Sequence, residues 1–277
     1  MKGGWLEGPK LRLVAAAIVV INGFFPALWI LLTSLKTETE LVSKPITYWP
    51  VNPTLANYVQ AFTDQPLLKY LGNSFLVAAL STATSLVVAA FAAYAIARLN
   101  LQRRQLILTC IVASSMFPLV TLLVPIFETM RALNLLNTYT ALVIPYTVLN
   151  LPVCTLVLVS FFQSIPKDLE NAAMIDGCTR IGALWRVVVP LAAPGVFTAG
   201  ILAFVNAWDE FLLALSLNAS ASMRTVPVGI TLYQGEFTFP WPIISAALIV
   251  AIVPVAVLIA VFQERVVGGL TQGGLKG

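Results

Sequence analysis

Residues 70–97, YLGNSFLVAALSTATSLVVAAFAAYAIA, run for 28 residues between Lys69 and Arg98 without a single charge. A helix needs roughly 20 apolar residues to cross the hydrocarbon of a bilayer, and a charge near its centre costs about 2.5–3.5 kcal/mol. Barrel strands alternate in polarity, whereas this run is apolar throughout. Lipid offers no partner to a backbone amide, so a spanning segment of this kind has to be a helix, whose amides are paired internally.

The same pattern recurs outward along the chain. Uncharged stretches of 23, 23, 35, 22 and 27 residues lie between Arg12 and Lys36, Arg104 and Glu128, Arg131 and Lys167, Arg186 and Asp209, and Glu236 and Glu264. They predict six spans, roughly 12–35, 73–98, 106–128, 140–163, 194–217 and 243–263. The expected fold is all-α: a polytopic membrane protein with about six transmembrane helices. Composition agrees, because 59% hydrophobic and 10% charged residues leave too little polar material to cover a water-soluble domain. The net charge of +4 belongs to short loops between spans and not to a nucleic-acid surface. The first apolar run is too long for a signal-peptide h-region and is expected to remain as a span.

Lys and Arg set the expected orientation. With the N-terminus inside, the inner segments carry eleven of the sixteen basic residues, which predicts both termini in the cytoplasm. Residues 1–69 then hold the first span and an external segment. Residues 70–263 hold the core, with an inner loop at about 164–193. Residues 264–277 form a glycine-rich inner tail. The external segment at 36–72, with Pro45, Pro50 and Pro53 among Tyr48, Trp49 and Tyr58, reads as extended and lying at headgroup level. Pro118, Pro125, Pro145 and Pro152 surround one outer turn and suggest kinked helices along a moving pathway.

Catalytic machinery is hard to assemble from this chain. There is no histidine, no CxxC pair among Cys110, Cys154 and Cys178, no GxSxG and no phosphate-binding GxxxxGK[ST]. No catalytic residue, metal or cofactor is expected, and an energy source would have to reside in another subunit. Polar residues within the apolar stretches are the candidates for a substrate pathway: Tyr146 and Asn150 in the fourth span, and Asn206, Trp208, Asp209 and Glu210 in the fifth. Intramembrane carboxylates face a cavity or a partner in preference to lipid. Tyr146 and Asn150 are equally suited to bonding a kinked backbone. Glu128 and Arg131, three apart, are placed to pair on one helix.

The inner loop at 166–195 reads PKDLENAAMIDGCTRIGALWRVVVPLAAPG. Residues 168–176 suit a short helix with acidic residues in its first turn, and Gly177 suits its stop. A second helical piece at 179–189 follows. This loop resembles the signature of the integral-membrane permeases of binding-protein-dependent ABC importers: Glu-Ala-Ala, three residues, Gly, nine residues, Ile, any residue, Leu-Pro. Ala172 and Ala173 match the two alanines, Asp176 and Gly177 the usual Asp-Gly pair, Val187 and Val189 the Ile and Leu positions, and Pro190 the proline. The family's Glu position is Asn171, with Glu170 one place earlier and therefore about 100° around the helix. MFP at 116–118, LLVPIF at 122–127, LNLLNT at 133–138, ALVIPY at 141–146, NAWDEF at 206–211 and the ending GLTQGGLKG are similar to the carbohydrate branch, in particular to the smaller permease of maltose-type importers.

The resemblance implies a type-1 ABC importer permease in a bacterial or archaeal cytoplasmic membrane. It implies two ATP-binding cassette subunits as partners, a related but different second permease and an extracytoplasmic solute-binding protein. It makes Glu170, Asn171, Ala172, Ala173, Asp176, Gly177 and Pro190 the ATPase-coupling loop, with Gly177 as hinge. Sugar as the transported substrate follows from the branch alone. A stand-alone secondary transporter or channel is the alternative reading.

Overall fold

The computed structural model describes the backbone of residues 9–235 and 238–274 and the side chains of residues 13–235 and 238–262. Glu236, which bounds one of the charge-free stretches, and the end of the glycine-rich tail, 275–277, lie outside the described residues. The helices are α1 (Pro9–Ser34), α2 (Glu38–Leu41), α3 (Ala56–Asp64), α4 (Leu67–Arg98), α5 (Arg104–Ser115), α6 (Leu119–Ala132) and α7 (Tyr139–Ser164). They continue with α8 (Lys167–Ile175), α9 (Arg180–Ala183), a π-helical turn Leu184–Val188, α10 (Val189–Leu191), α11 (Ala193–Asp209), α12 (Leu212–Leu217), α13 (Val226–Thr231) and α14 (Trp241–Gly274). The described residues are helical or irregular, without a strand.

Four helices are long and apolar enough to cross a membrane, at Leu13–Ser34, Leu67–Arg98, Tyr139–Ser164 and Trp241–Phe262, and two bent pairs raise the number to as many as six. The third expected span, 106–128, is not straight: α5 and α6 meet at 88°. The break falls at Pro118, which caps α6 in an extended conformation. A proline lacks the amide to continue the ladder and disfavours a helical residue before it. The fifth expected span, 194–217, ends early, because Glu210 is extended and the chain restarts as α12. The segment at 36–72 is less extended than its prolines suggest, since α2 and α3 interrupt it and α4 begins already at Leu67.

The chain divides into two compact units, one of residues 1–67 with 230–253 and the other of residues 68–229 with 254–277. In the first, Asn57 on α3 donates from Nδ2 to the carbonyls of Ser34 (2.7 Å) and Lys36 (2.8 Å), partnering carbonyls that the end of α1 leaves open. Ser34 also bonds the Tyr58 hydroxyl at 2.8 Å, and Lys36 lies 5.7 Å from the ring of Trp29. Tyr48 and Trp49 are strongly exposed.

The second unit is organised around α7 and α11. Gly195, Ala199, Ala203 and Ala207 recur every four residues on α11 and are all buried. Lipid tails are as apolar as the side chains, so membrane helices associate through close packing and hydrogen bonds, for which small residues are suited. A Cβ on Gly195 would lie 2.3 Å from the Phe161 ring. Next along the stripe the Cys154 thiol faces the Ala199 carbonyl at 3.8 Å, and Asn150 Nδ2 donates to the Ala203 carbonyl at 3.2 Å. Between α4 and α7, Thr84 and Thr147 share a 2.6 Å hydroxyl bond, and Ser85 donates to the Thr147 carbonyl at 3.2 Å. At the Asn73 end of α4, Asn73 Nδ2 donates to the carbonyls of Ser222 (3.0 Å) and Arg224 (2.8 Å), and Oδ1 accepts from Tyr139 (2.8 Å). Glu128 and Arg131 pair at 3.7 Å on α6, both exposed. Such a pair contributes about 0–1 kcal/mol.

Gly195→Ala is expected to destabilise the detergent-solubilised protein by about 1–3 kcal/mol through overpacking, seen as a lowered thermal midpoint. The double variant Gly195→Ala/Phe161→Ala removes the two ring atoms that the new methyl meets most closely and leaves Cβ at 2.8 Å, so partial recovery is expected. Recovery of the midpoint relative to Phe161→Ala alone checks that this contact is the cause.

Candidate functional site

Two groups of residues singled out in the sequence come together in space, at different places along α7 and α11. The first is the loop. Ile165 and Pro166 turn the chain out of α7 in extended conformations, and α8 follows at once. It ends in a Schellman arrangement: Gly177 N–H donates to the Met174 carbonyl at 3.1 Å and Cys178 N–H to that of Ala173 at 2.9 Å. The motif requires a left-handed residue, and Gly177 has φ +93°. Thr179 then caps α9, its hydroxyl accepting from the Gly182 amide at 3.1 Å. The π turn at Leu184–Val188 carries the chain to Pro190 and into an 83° bend before α11. Trp185, on that turn, meets Phe91 of α4 edge-on with ring centroids 5.7 Å apart.

The faces of α8 differ sharply. Asn171, Ala172 and Asp176 are exposed, as are Gly177 and Pro190, while Ala173 is half-buried. Leu169 and Ile175 add an exposed apolar component, Ile175 being 86% exposed. Glu170 points the other way and is buried. Its Oε2 lies 3.1 Å from Arg98 Nε, an ion pair at an angle outside that of a hydrogen bond, and its Oε1 accepts from the Tyr94 hydroxyl. Arg98 Nη2 in turn donates to the Ile165 carbonyl at 3.0 Å. A rotation of about 100° per residue thus separates an outward Asn171 from an inward Glu170. Tyr94 and Arg98 were not among the residues expected at this site. Their signal was present but weak: they stand four apart, on one face of α4, and Arg98 is the charge that ends the 28-residue run.

The second group forms a cleft of about 210 Å³ lined by Tyr146, Leu149, Asn150, Asn206, Ala207 and Glu210. The Tyr146 hydroxyl donates to Glu210 Oε2 at 2.5 Å. Glu210 also accepts from the amides of Leu213 (2.9 Å) and Ala214 (3.1 Å), satisfying the first turn of α12 and placing a carboxylate at its positive end. Asn206 Nδ2 is 3.4 Å from Asn150 Oδ1, while Asn150 itself holds the Ala203 carbonyl. Two expected pathway residues stand apart from this cleft. Trp208 is buried, only 4% exposed, and stacks on Phe204 with centroids 5.7 Å apart, among the core residues of this unit. The apolar ring gains more from packing than its sequence neighbours Asp209 and Glu210 suggest. Asp209 is exposed at the end of α11, outside the cleft lining.

Residues 85–271 match the family model described as the inner membrane component of binding-protein-dependent transport systems. The chain belongs to this family. It is 72% identical over 273 residues to the sulfoquinovosyl glycerol transport system permease protein of Agrobacterium fabrum, covering 99% of this chain and 96% of that protein. It is 37% identical over 270 residues to the trehalose/maltose transport system permease protein of Thermococcus litoralis, covering 96% of each. The fold is similar to a chain in the crystal structure of a bacterial ABC transporter involved in the import of the acidic polysaccharide alginate. That match has a TM-score of 0.78 and 20% identity, and it covers 92% of this chain and 94% of the other. The all-α, multi-pass permease fold is therefore that of an ABC importer, and the protein is a transport subunit. The stand-alone transporter or channel has no support among these relatives.

Glu210→Ala removes three hydrogen bonds at once and is expected to lower stability by about 1.5–3 kcal/mol, as loss of a charged acceptor does. Tyr146→Phe is expected to cost about 1 kcal/mol alone and almost nothing in the Glu210→Ala background. A double-mutant cycle on thermal or denaturant midpoints checks this.

Proposed function

We propose that this chain is one permease of an ATP-driven importer for a sugar or small glycoside. The observation that carries this reading is the loop at 166–190, a short helix with an outward-facing surface ending at a left-handed glycine. In the proposal, α8 docks into a groove on a cytoplasmic ATP-binding cassette subunit. Two such subunits close on ATP, and the docked helices carry that motion into the spans. Asn171, Ala172, Ala173, Asp176, Gly177 and Pro190 belong to this coupling loop, with Glu170 on its inner face. A second, related permease completes the pathway, and a solute-binding protein delivers the substrate from outside. The excess of Lys and Arg on one side supports both termini facing the cytoplasm. Residues 70–263 are assigned as the permease core, 1–69 as the N-terminal span with its external segment and 264–277 as a cytoplasmic tail.

The cleft of Tyr146, Asn150, Asn206 and Glu210 is assigned to the transport pathway, where its hydroxyl, amides and carboxylate suit a ligand rich in hydroxyl groups. Asp209 belongs at its margin. The 72% identity along almost the full chain makes sulfoquinovosyl glycerol the first substrate to test.

The experiment is reconstitution of the permease with the ATPase, second permease and binding protein that co-purify or are encoded with it. Sulfoquinovosyl glycerol is expected to stimulate ATP turnover and uptake more than trehalose or maltose. A preference for either disaccharide reassigns the substrate, and no response to any sugar overturns the sugar reading. Asp209→Asn is expected to weaken the apparent affinity for the stimulating sugar; an unchanged affinity and rate assigns Asp209 a structural role. Open space surrounds the missing Cβ of Gly177, so Gly177→Ala tests its left-handed backbone alone, worth about 1–2 kcal/mol. Uptake per ATP hydrolysed is expected to fall, and unchanged uptake and turnover remove Gly177 as a hinge.

A further inference from the structure

The helix α8 has nine residues, and the single one that is buried is a carboxylate, Glu170. A buried charge is costly unless it is paired and hydrogen-bonded. Apolar anchors such as Leu would attach a short helix at lower cost, yet Leu169 and Ile175 face away from the protein. What holds the inner face is a node on α4. The side chains of Arg98 and Glu170 are 4% and 9% exposed, Nε and Oε2 lie 3.1 Å apart, and Tyr94 donates to the other carboxylate oxygen. The same guanidinium donates to the carbonyl of Ile165, the residue that caps α7. One arginine therefore ties three helices: the end of α4, the end of α7 and the middle of α8.

We infer that Arg98, Tyr94 and Glu170 are positioning residues that make α8 move as one body with α4 and α7. The inference rests on the reading of this loop as the ATPase-docking segment. A force on the outward face of α8 reaches the spans through two attachments. The chain link at 165–166 is non-helical backbone in which the Pro166 ring fixes one torsion, and the remaining torsions still let α8 pivot from that one end. The Arg98–Glu170 node removes that freedom by fixing the helix near its centre. A carboxylate held by the Tyr94 hydrogen bond on one oxygen and by the Arg98 charge on the other restrains rotation about the α8 axis, which a greasy contact would leave loose. This accounts for Glu170 facing inward while Asn171, at the position where the family carries glutamate, remains outside: in this chain the inner carboxylate sets orientation and the outer surface docks.

The test uses the whole reconstituted importer. Arg98→Gln and Tyr94→Phe lie on α4, away from the outward face. Arg98→Gln/Glu170→Gln removes both charges and leaves no unpaired buried ion, so its folding is less threatened than that of either single variant. The ATPase is expected to co-purify with the double variant at the wild-type ratio. Substrate-stimulated turnover over basal turnover is expected to fall about tenfold, the size of an ordinary coupling free energy. Tyr94→Phe is expected to show a smaller fall in the same ratio. A double variant whose ratio stays within about twofold of wild type overturns the inference. So does one that loses the ATPase while Ile175→Asp keeps it, because the inner face would then be the docking surface. Wild-type material that brings down no ATPase fails differently: it removes the docking reading and the inference with it.

Discussion

A backbone amide or a charge that enters lipid has no water to bond, and most of this molecule follows from that constraint. Helices answer it for the backbone. For side chains the answers are local or between helices. Ser81, Thr84, Ser85, Thr129 and Thr147 return their hydroxyls to carbonyls three or four residues earlier. Asn150 and Thr84 bond a neighbouring helix. Because hydrocarbon gives no net reward for bringing apolar surfaces together, tight contact between α7 and α11 depends on the Gly195-Ala199-Ala203-Ala207 stripe, which lets two backbones approach.

The same constraint explains where helices break. A break exposes amides and carbonyls, and at several breaks here a neighbouring group takes them up. Glu210 receives the first amides of α12. Asn57 donates from Nδ2 to the carbonyls of Ser34 and Lys36 at the end of α1. Asn134, with φ 55°, ends α6 in a turn that returns the Leu135 amide to Met130. Polar residues in the apolar stretches therefore divide their work between supporting broken backbone and lining the cleft. Glu210 does both, with the Tyr146 hydroxyl bonded to its carboxylate, and this is why the polar cleft and the discontinuity between α11 and α12 occupy the same place.

In the coupling role proposed for the loop, force transmission poses the opposite problem. The spans can move only as far as their packing allows, while the loop must stay attached to them through a large bend. A π turn, a proline and an 83° angle separate the loop from α11 on one side. On the other, two extended residues separate it from α7. The Arg98–Glu170 pair is placed across that joint. The surrounding cleft of about 130 Å³, which also includes Lys167, Asn171 and Arg180, gives the joint a polar lining.

The sequence by itself determined the class of fold, because charge-free runs of twenty or more residues have one stable form in a bilayer. It also determined the two helical pieces of the loop and the stop at Gly177, since capping chemistry is read within a few residues. The family signature at 171–190 is local in the same way. Tertiary structure alone decided three things. It broke the third span at Pro118, because proline in a membrane helix is compatible with a kink, a break or neither until the neighbouring helices are known, and the fifth at Glu210, whose carboxylate takes up the amides of Leu213 and Ala214. It sent Trp208 into the core beside Phe204 while its neighbour Asp209 stayed exposed, because both sides of an apolar stretch look alike in one dimension. And it joined Glu170 to Arg98 across 72 positions of chain, a pairing that no local pattern encodes, because it arises only when α4, α7 and α8 end at the same place.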